Sequence, residues 1–354
     1  MRAILDAADD TPKDADVFAC GSTLGNLLRF TRGKEKAFRF TVEVVGDTLF
    51  LVRKENDPKE LIEGIHGFGH SFPEAYTTWP KEVKGSETHQ RIIQYKLGGL
   101  RCLVRFECDG FFEDSSTADK IRSPTTHDLS DLRTEDLLSV ALLKSTLTAP
   151  GPTFESSPST LNVLKTGASI PQTAIFDLKT RSRRYNKDID MDDITPQLWL
   201  KQIPNFIVAY HDGAGLFQSQ DIHIQDARSL TRTFEEDNAE AIGCLVTLLN
   251  KIIKAARAEP SGMLEVYCPG SDELQIRKQF GDGVHALPSD LLDQWEANCD
   301  TGGFEFGEDD TESGAWEKTY EDALGDSDEL SDDGDMDFTA CSVEECGYCG
   351  RCTY

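Results

Sequence analysis

No stretch of this 354-residue chain approaches the ~20 consecutive apolar residues that a membrane-spanning helix needs. The first ten residues, MRAILDAADD, have neither the basic start nor the apolar run of a secretory signal. Cytosol or nucleus is therefore expected, with no membrane partner. In such a compartment ten cysteines read as thiols and metal ligands rather than disulfides. There is no Walker A loop, no dinucleotide fingerprint and no serine nucleophile elbow. No internal repeat is evident. Basic charge is scarce: 36 Lys and Arg face 63 Asp and Glu, for a net −27. The shortage is local, because residues 282–354 hold 22 Asp and Glu against 2 Lys and Arg, a charge of −20 that leaves −7 for residues 1–281. The acidity excludes nonspecific coating of duplex DNA, yet the body is only mildly acidic and remains free to bind nucleic acid locally.

The chain is long enough for a sizeable core and reads as one elaborated α/β domain with a tail. Residues 1–16 are polar and expected to be mobile. FACGSTLGNLLRF (18–30) reads as a short helix with glycine breaks. FRFTVEVVGDTLFLVRKE (38–55) is two β-rich runs joined at Gly46-Asp47, a hairpin. GFGHSFPEAYTTWP (67–80) reads as a loop with packed rings. Ser86 to Tyr95 suggests a helix capped by Ser86 and ended by Gly98-Gly99. Residues 113–172 read as an insertion, partly disordered, around a helix at 134–146. Thr195-Pro196 looks like the cap and first residue of a helix running to Ile203, followed by the strand NFIVAY (205–210). Residues 235–258 carry Ile242, Leu245, Leu249, Ile252 and Ile253 at helical spacing. Order is expected to fade from Gly270. Residues 17–281 thus form the α/β domain, 282–338 a disordered acidic linker and 339–354 a Cys-rich tail.

Two short strings carry the chemistry. Glu107-Cys108-Asp109 and Asp177-Leu178-Lys179 each lie in an apolar, strand-like run. Alternation with period two points Glu107 and Asp109 one way, and likewise Asp177 and Lys179. If the strands pair, three carboxylates and one ammonium converge. Carboxylates hold the hard divalent ions that stabilise charge during phosphodiester cleavage, and a lysine orients water or neutralises the transition state. Glu107, Asp109 and Asp177 are therefore candidate ligands for Mg or Mn, with Lys179 as the charge. Glu87, on the preceding helix, is a further candidate. Either pair alone also fits the solvated face of an amphipathic strand.

A helix with Glu, then E-x-D, D-x-K and W-x-x-Q before an apolar strand resembles the PD-(D/E)XK nuclease core. The DXO decapping/exoribonuclease branch is the nearest in pattern, through Glu107/Asp109, Asp177/Lys179 with Thr180, and Trp199/Gln202 before NFIVAYHDGAG. The resemblance covers roughly residues 85–257. It implies a mixed sheet flanked by helices, hydrolysis of phosphodiesters on RNA or nucleotide ends, and catalytic roles for Lys179, Glu87 and Gln202. Asp177 stands where that branch has Glu, and no cap-pocket arginine can be assigned. FACGSTLGNLLRF, FGHSFPEAYTTW and the terminal CGYCG-x-C are also similar to a fungal group sometimes labelled geranylgeranyl pyrophosphate synthetase. Enzymes of that kind need DDxxD, which is absent here; Asp192-Asp193 is followed by Ile-Thr-Pro.

Beyond Lys179 comes a basic turn. Arg181, Arg183, Arg184 and Lys187 could grip phosphates, and Tyr185 could stack on a base. A solvated loop, or a partner for the acidic tail, fits the same residues. At the C-terminus Cys341, Cys346, Cys349 and Cys352 put four thiols in twelve residues, a spacing suited to tetrahedral Zn; an iron–sulfur cluster is the other reading. His66, His70 and His89 read as loop histidines. The first reading is thus a metal-dependent nuclease acting on RNA. The other is a non-catalytic adaptor on the same fold, docking protein partners through its acidic tail and Cys module.

Overall fold

The computed structural model describes residues 2–5, 15–53, 68–69, 71–86, 88–113, 164–183, 189–270 and 273–299. The helix expected at 134–146, most of the insertion, the acidic segment beyond 299 and the four C-terminal cysteines lie outside them. The described residues form a mixed α/β fold of two mixed sheets flanked by helices, as the sequence pattern implied. The larger sheet has seven strands in the order β11-β10-β2-β3-β1-β5-β4. Its strands are β1 (Val17–Cys20), β2 (Phe38–Val45), β3 (Thr48–Val52), β4 (Gln90–Leu97), β5 (Leu100–Glu107), β10 (Met263–Cys268) and β11 (Gln275–Lys278). The smaller is β6-β7-β8-β9: β6 (Gly110–Phe111), β7 (Ile175–Ser182), β8 (Asn205–His211) and β9 (Phe217–Asp226). Both contain parallel pairs, β1 with β3 and β5, and β7 with β8.

The expected hairpin is β2–β3, with Gly46 at φ 58° in its turn. The helix expected from Ser86 is instead strand β4, paired antiparallel with β5 from Gln90–Glu107 to Leu97–Leu100. The overlooked cue is Gly98-Gly99, at φ 54° and 91°, the positive-φ pair that a two-residue hairpin turn demands. A Cβ on Gly98 would also stand 2.5 Å from Val246, so that turn packs directly on a helix. At Phe18–Phe30 the first residues belong to β1, and α2 (Gly21–Thr31) follows without a break at Gly25. The turn Arg2–Leu5 (α1) buries Ile4 rather than leaving all of 1–16 mobile. The long helix expected at 235–258 is two, α5 (Ala227–Asp237) and α6 (Ala239–Ala258), joined at Asn238.

Helix α3 (Ser71–Tyr76) stacks Phe72 on Tyr76 at 4.2 Å and sets Phe72 against Phe217 at 4.5 Å, the ring packing expected there. Helix α4 (Met191–Leu200) starts five residues before the expected point, capped by the Asp190 carboxylate on the Asp192 N–H. Pro196 therefore lies inside the helix and offers no N–H to the Asp192 carbonyl. Arg32 supplies it, its Nη1 donating to that carbonyl at 3.1 Å and its Nη2 to the Asp192 carboxylate at 2.7 Å. The same guanidinium donates through Nε to Asn238 at 3.0 Å and lies 5.2 Å over the Phe234 ring. One arginine after α2 thus ties together α4, α5 and the start of α6.

The main core lies between the large sheet and α2 and α6, where Leu24, Leu27, Leu28, Leu245, Leu249 and Ile252 are completely buried. A second cluster joins Phe106 and Cys108 to Ile175, Leu198, Phe206 and Val208, and so fastens the small sheet to the end of β5. The segment after 281, expected to be disordered, instead begins with an ordered stretch. Helix α7 (Ser289–Cys299) places Trp295, 1% exposed, against Phe50, and its Nε1 donates to Thr48 at 3.1 Å. An indole of that size removes too much apolar surface to be left in water.

Candidate functional site

The chain crosses from the large sheet to the small one at Cys108 and Asp109. Strand β6 pairs antiparallel with β7 in the register Gly110–Phe176. Continuing that register by one residue sets Asp109 opposite Asp177, and opposed residues of an antiparallel pair share a face. Gly110 makes the approach possible, since a Cβ there would stand 2.4 Å from the Phe176 ring. The Asp109 carboxylate accepts from the Leu178 N–H at 2.6 Å, and that same N–H lies 2.9 Å from Asp177 Oδ1. Asp177 is 7% exposed.

A basic residue that sequence reading missed completes the cluster. Lys201 follows the last turn of α4 and donates from Nζ to Asp177 Oδ2 at 3.0 Å. Its place is fixed by a Schellman ending: the Gln202 N–H bonds to the Trp199 carbonyl at 3.1 Å and the Ile203 N–H to the Leu198 carbonyl at 3.0 Å. Gln202 takes the left-handed position at φ 52°, where glycine is usual. Gln172 covers the exposed end, its amide donating to the carbonyls of Lys201 and Gln202 at 3.0 and 2.9 Å. A cue existed. Because β7 and β8 are parallel, the segment entering β8 must return to the N-terminal end of β7, where Asp177 lies.

Electrostatics set the two acids apart. Burial and then the neighbouring Asp177 carboxylate raise Asp109 well above the usual carboxylate range. Burial would also raise Asp177, but Lys201, then Lys179, with hydrogen bonds from Asp109 and Lys201, outweigh it and hold Asp177 below that range. Two ionised carboxylates facing each other repel, which favours the protonated form of the one with less cationic support, Asp109. Nearby, burial pushes the Cys108 thiol up to about 11, and burial followed by Arg91 lowers His89.

The expected gathering of three carboxylates is not met. Glu107 is exposed at the last residue of β5, and Cys108 and Asp109 lie between β5 and β6 outside either strand, where the chain passes from one sheet to the other, so strand alternation does not place Glu107 with Asp109. Among the described residues, no group of three His, Cys, Asp or Glu side chains could hold a metal ion. Two carboxylates remain, the share a Mg²⁺ ion takes from protein when substrate phosphates and water complete its octahedron. On that count Asp109 and Asp177 fit a divalent ion. Glu87, His66, His70, Arg184, Tyr185 and Lys187 lie outside the described residues. The Gln202 amide turns back onto the Trp199 carbonyl at 2.6 Å, which makes it a helix cap. Arg181 lies on β7 two residues beyond Lys179, and Arg183 is paired with the buried Asp221 carboxylate of β9.

The family model described as a domain of unknown function (DUF8563) matches residues 10–276. The chain belongs to this family. No curated protein matches it. Scheffersomyces stipitis Rai1 in complex with (3′-NADP)+ and calcium ion is 11% identical, with 84% of this chain and 78% of that chain covered at a TM-score of 0.52. Candida albicans Rai1 in complex with pU5-Mn²⁺ is 9% identical, covers 84% and 79%, and scores 0.47. K. lactis Dxo1 in complex with manganese is 8% identical, covers 78% and 68%, and scores 0.44. The S. stipitis likeness bears out the DXO-branch fold read from E-x-D, D-x-K and W-x-x-Q. This DUF8563 chain therefore builds its paired acids on a Rai1-like scaffold. Among the described residues, no helix is long and apolar enough to cross a membrane.

Proposed function

We propose that this DUF8563 protein is a divalent-metal-dependent hydrolase of phosphodiesters at RNA or nucleotide ends. One observation carries the reading: Asp109 faces Asp177 on a Rai1-like fold, with Lys201 bonded to Asp177 and Lys179 close enough to act on the charge of both acids. That S. stipitis Rai1 holds a nucleotide and calcium on this fold selects phosphate chemistry over other uses of paired acids. A bound Mg²⁺ or Mn²⁺ would supply Lewis-acid stabilisation of the phosphate oxygens and a more acidic water. Asp109 and Asp177 would hold that ion, and binding would release the proton Asp109 carries. Lys179 would orient the attacking water or offset charge on the phosphate. Glu107 and Glu87 are the remaining candidate oxygens. Arg181, with Arg184, Tyr185 and Lys187 of the following turn, would guide the RNA strand.

The tail has a separate proposed role. Cys341, Cys346, Cys349 and Cys352 would hold zinc, and the acidic segment before them would dock a protein partner in the cytoplasm or nucleus. The adaptor reading gains from one observation, that Lys201 already occupies an Asp177 oxygen while Glu107 stays in solvent.

The test is Mn²⁺-dependent degradation of 5′-monophosphate, 5′-triphosphate and capped RNA by the purified protein. Asp177→Ala and Lys179→Ala should each lose at least a hundredfold, the scale of removing several kcal/mol of transition-state stabilisation. A folded wild type that degrades none of the three leaves the adaptor reading standing.

A further inference from the structure

We propose that Lys201 is an internal counter-cation that gates metal entry, so that a divalent ion and a substrate phosphate bind this site together or not at all. The proposal rests on the reading of Asp109 and Asp177 as metal ligands and adds the order in which the site fills. Lys201 Nζ sits 3.0 Å from Asp177 Oδ2, the oxygen a metal would need, and the other Asp177 oxygen lies 2.9 Å from the Leu178 N–H. The ammonium is a compact point charge with a partly shielded position, 18% exposed, against a carboxylate that is itself nearly sealed. A divalent ion arriving alone must displace it against direct charge repulsion.

The surroundings restrict how the lysine can yield. A Cβ added at Gly21 would stand 3.4 Å from Lys201 Cγ, so the lysine stem packs against the start of α2 at the one position there without a side chain. Its root is held by the Schellman ending of α4 and by the Gln172 amide. Only the carbons beyond Cγ and the ammonium are left to swing. An arriving phosphate gives that ammonium a second acceptor and simultaneously supplies oxygens to the metal, so each ligand removes the obstacle to the other. Such coupling is reciprocal: phosphate must tighten metal by the same factor as metal tightens phosphate.

The experiment measures Mn²⁺ binding from the free-ion paramagnetic resonance signal, with and without uridine 5′-monophosphate, which has no phosphodiester to cleave. Full-length wild type should bind Mn²⁺ weakly alone and at least tenfold more tightly with the nucleotide. Lys201→Met keeps the stem and removes the charge; it should bind Mn²⁺ at least tenfold more tightly than wild type without nucleotide, and gain little more from it. Lys201→Arg, which retains charge, keeps the fold and the coupling even if the Met variant does not fold. Asp177→Asn should bind no Mn²⁺ in either condition. Wild type that binds Mn²⁺ equally well with and without nucleotide, or a Met variant with unchanged affinity and coupling, overturns the gate and leaves the metal site intact. No Mn²⁺ binding by any variant in either condition overturns the gate and the metal site together.

Discussion

Glu43 of the large sheet and Asp177 of the small one are both buried carboxylates, and the two are treated in opposite ways. In the seven-stranded sheet Glu43, 4% exposed, accepts from the Ala286 N–H and meets His285 Nδ1 at 2.7 Å. Those contacts bring the chain after β11 back to the sheet just ahead of α7. In the four-stranded sheet Asp177 is also buried but faces a second acid, Asp109, which burial and Asp177 raise, and Lys201 donates to Asp177. A buried acid whose partners are backbone and a local base is part of the framework. A buried acid set against a second acid costs stability, and such a cost persists where a site makes use of it.

The contrast can be broken most forcefully in the large sheet. Trp295→Ala empties a fully buried indole site and should cost about 3–5 kcal/mol in denaturant unfolding. The surviving fold should keep its cleavage rate at low temperature; an unchanged unfolding midpoint would show that α7 is no part of the core. Next, Glu43→Ala strips the Ala286 N–H and His285 of their acceptor. A loss of about 1–3 kcal/mol is expected, again with cleavage retained. A variant as stable as wild type would dissolve the distinction between the two acids.

The small sheet should answer with the other sign. Asp109→Asn replaces a carboxyl whose ionisation the fold opposes with a neutral amide that can still donate to Asp177, so it should raise stability by about 1 kcal/mol near neutral pH and abolish the proposed cleavage. The pH dependence sharpens this. Asp109 is raised, so its stabilisation is fully present below the ordinary carboxylate value and is lost as pH rises through its folded value. The advantage of Asp109→Asn should therefore grow as pH rises above the ordinary carboxylate value, measured by urea titration in chelator; a flat difference would mean that Asp109 is not raised in the fold. Asp177, being depressed, contributes stability above the ordinary value and loses it on acidification. The smallest expected effect is Gln172→Ala, which uncaps the end of α4 for about 0.5–1 kcal/mol. It should also blunt the coupling between Mn²⁺ and nucleotide, since the root of Lys201 is then less firmly held.

Local pattern made much of this molecule legible. The hairpin β2–β3, the runs that became β5, β7 and β8, and the apolar stripe of α6 follow from period-two and period-3.6 spacing alone. Asp109, Asp177 and Lys179 could be named as candidates because alternation and flanking residues are local properties. The reading failed where an alternative needed a partner. Ser86 to Tyr95 scans as a capped helix until β5 is available to pair with it. The segment after Gly270 reads as an acidic tail until Phe50 and Thr48 offer Trp295 a place. Glu107 and Asp109 seem to share a face until the chain is seen to change sheets between them.

Residue chemistry, the α/β class and the position of the candidate acids could be read along the chain, because these depend on neighbours two to four residues away. Which charges meet depends on the folded chain. Asp109 and Asp177 are 68 residues apart in the chain and are opposed by the β6–β7 register, while Lys201 reaches them because the parallel β7–β8 crossover must return to the same end of the sheet. Coulomb energy and desolvation act through space, so the state of the site was set by that return and not by the strings that first marked it.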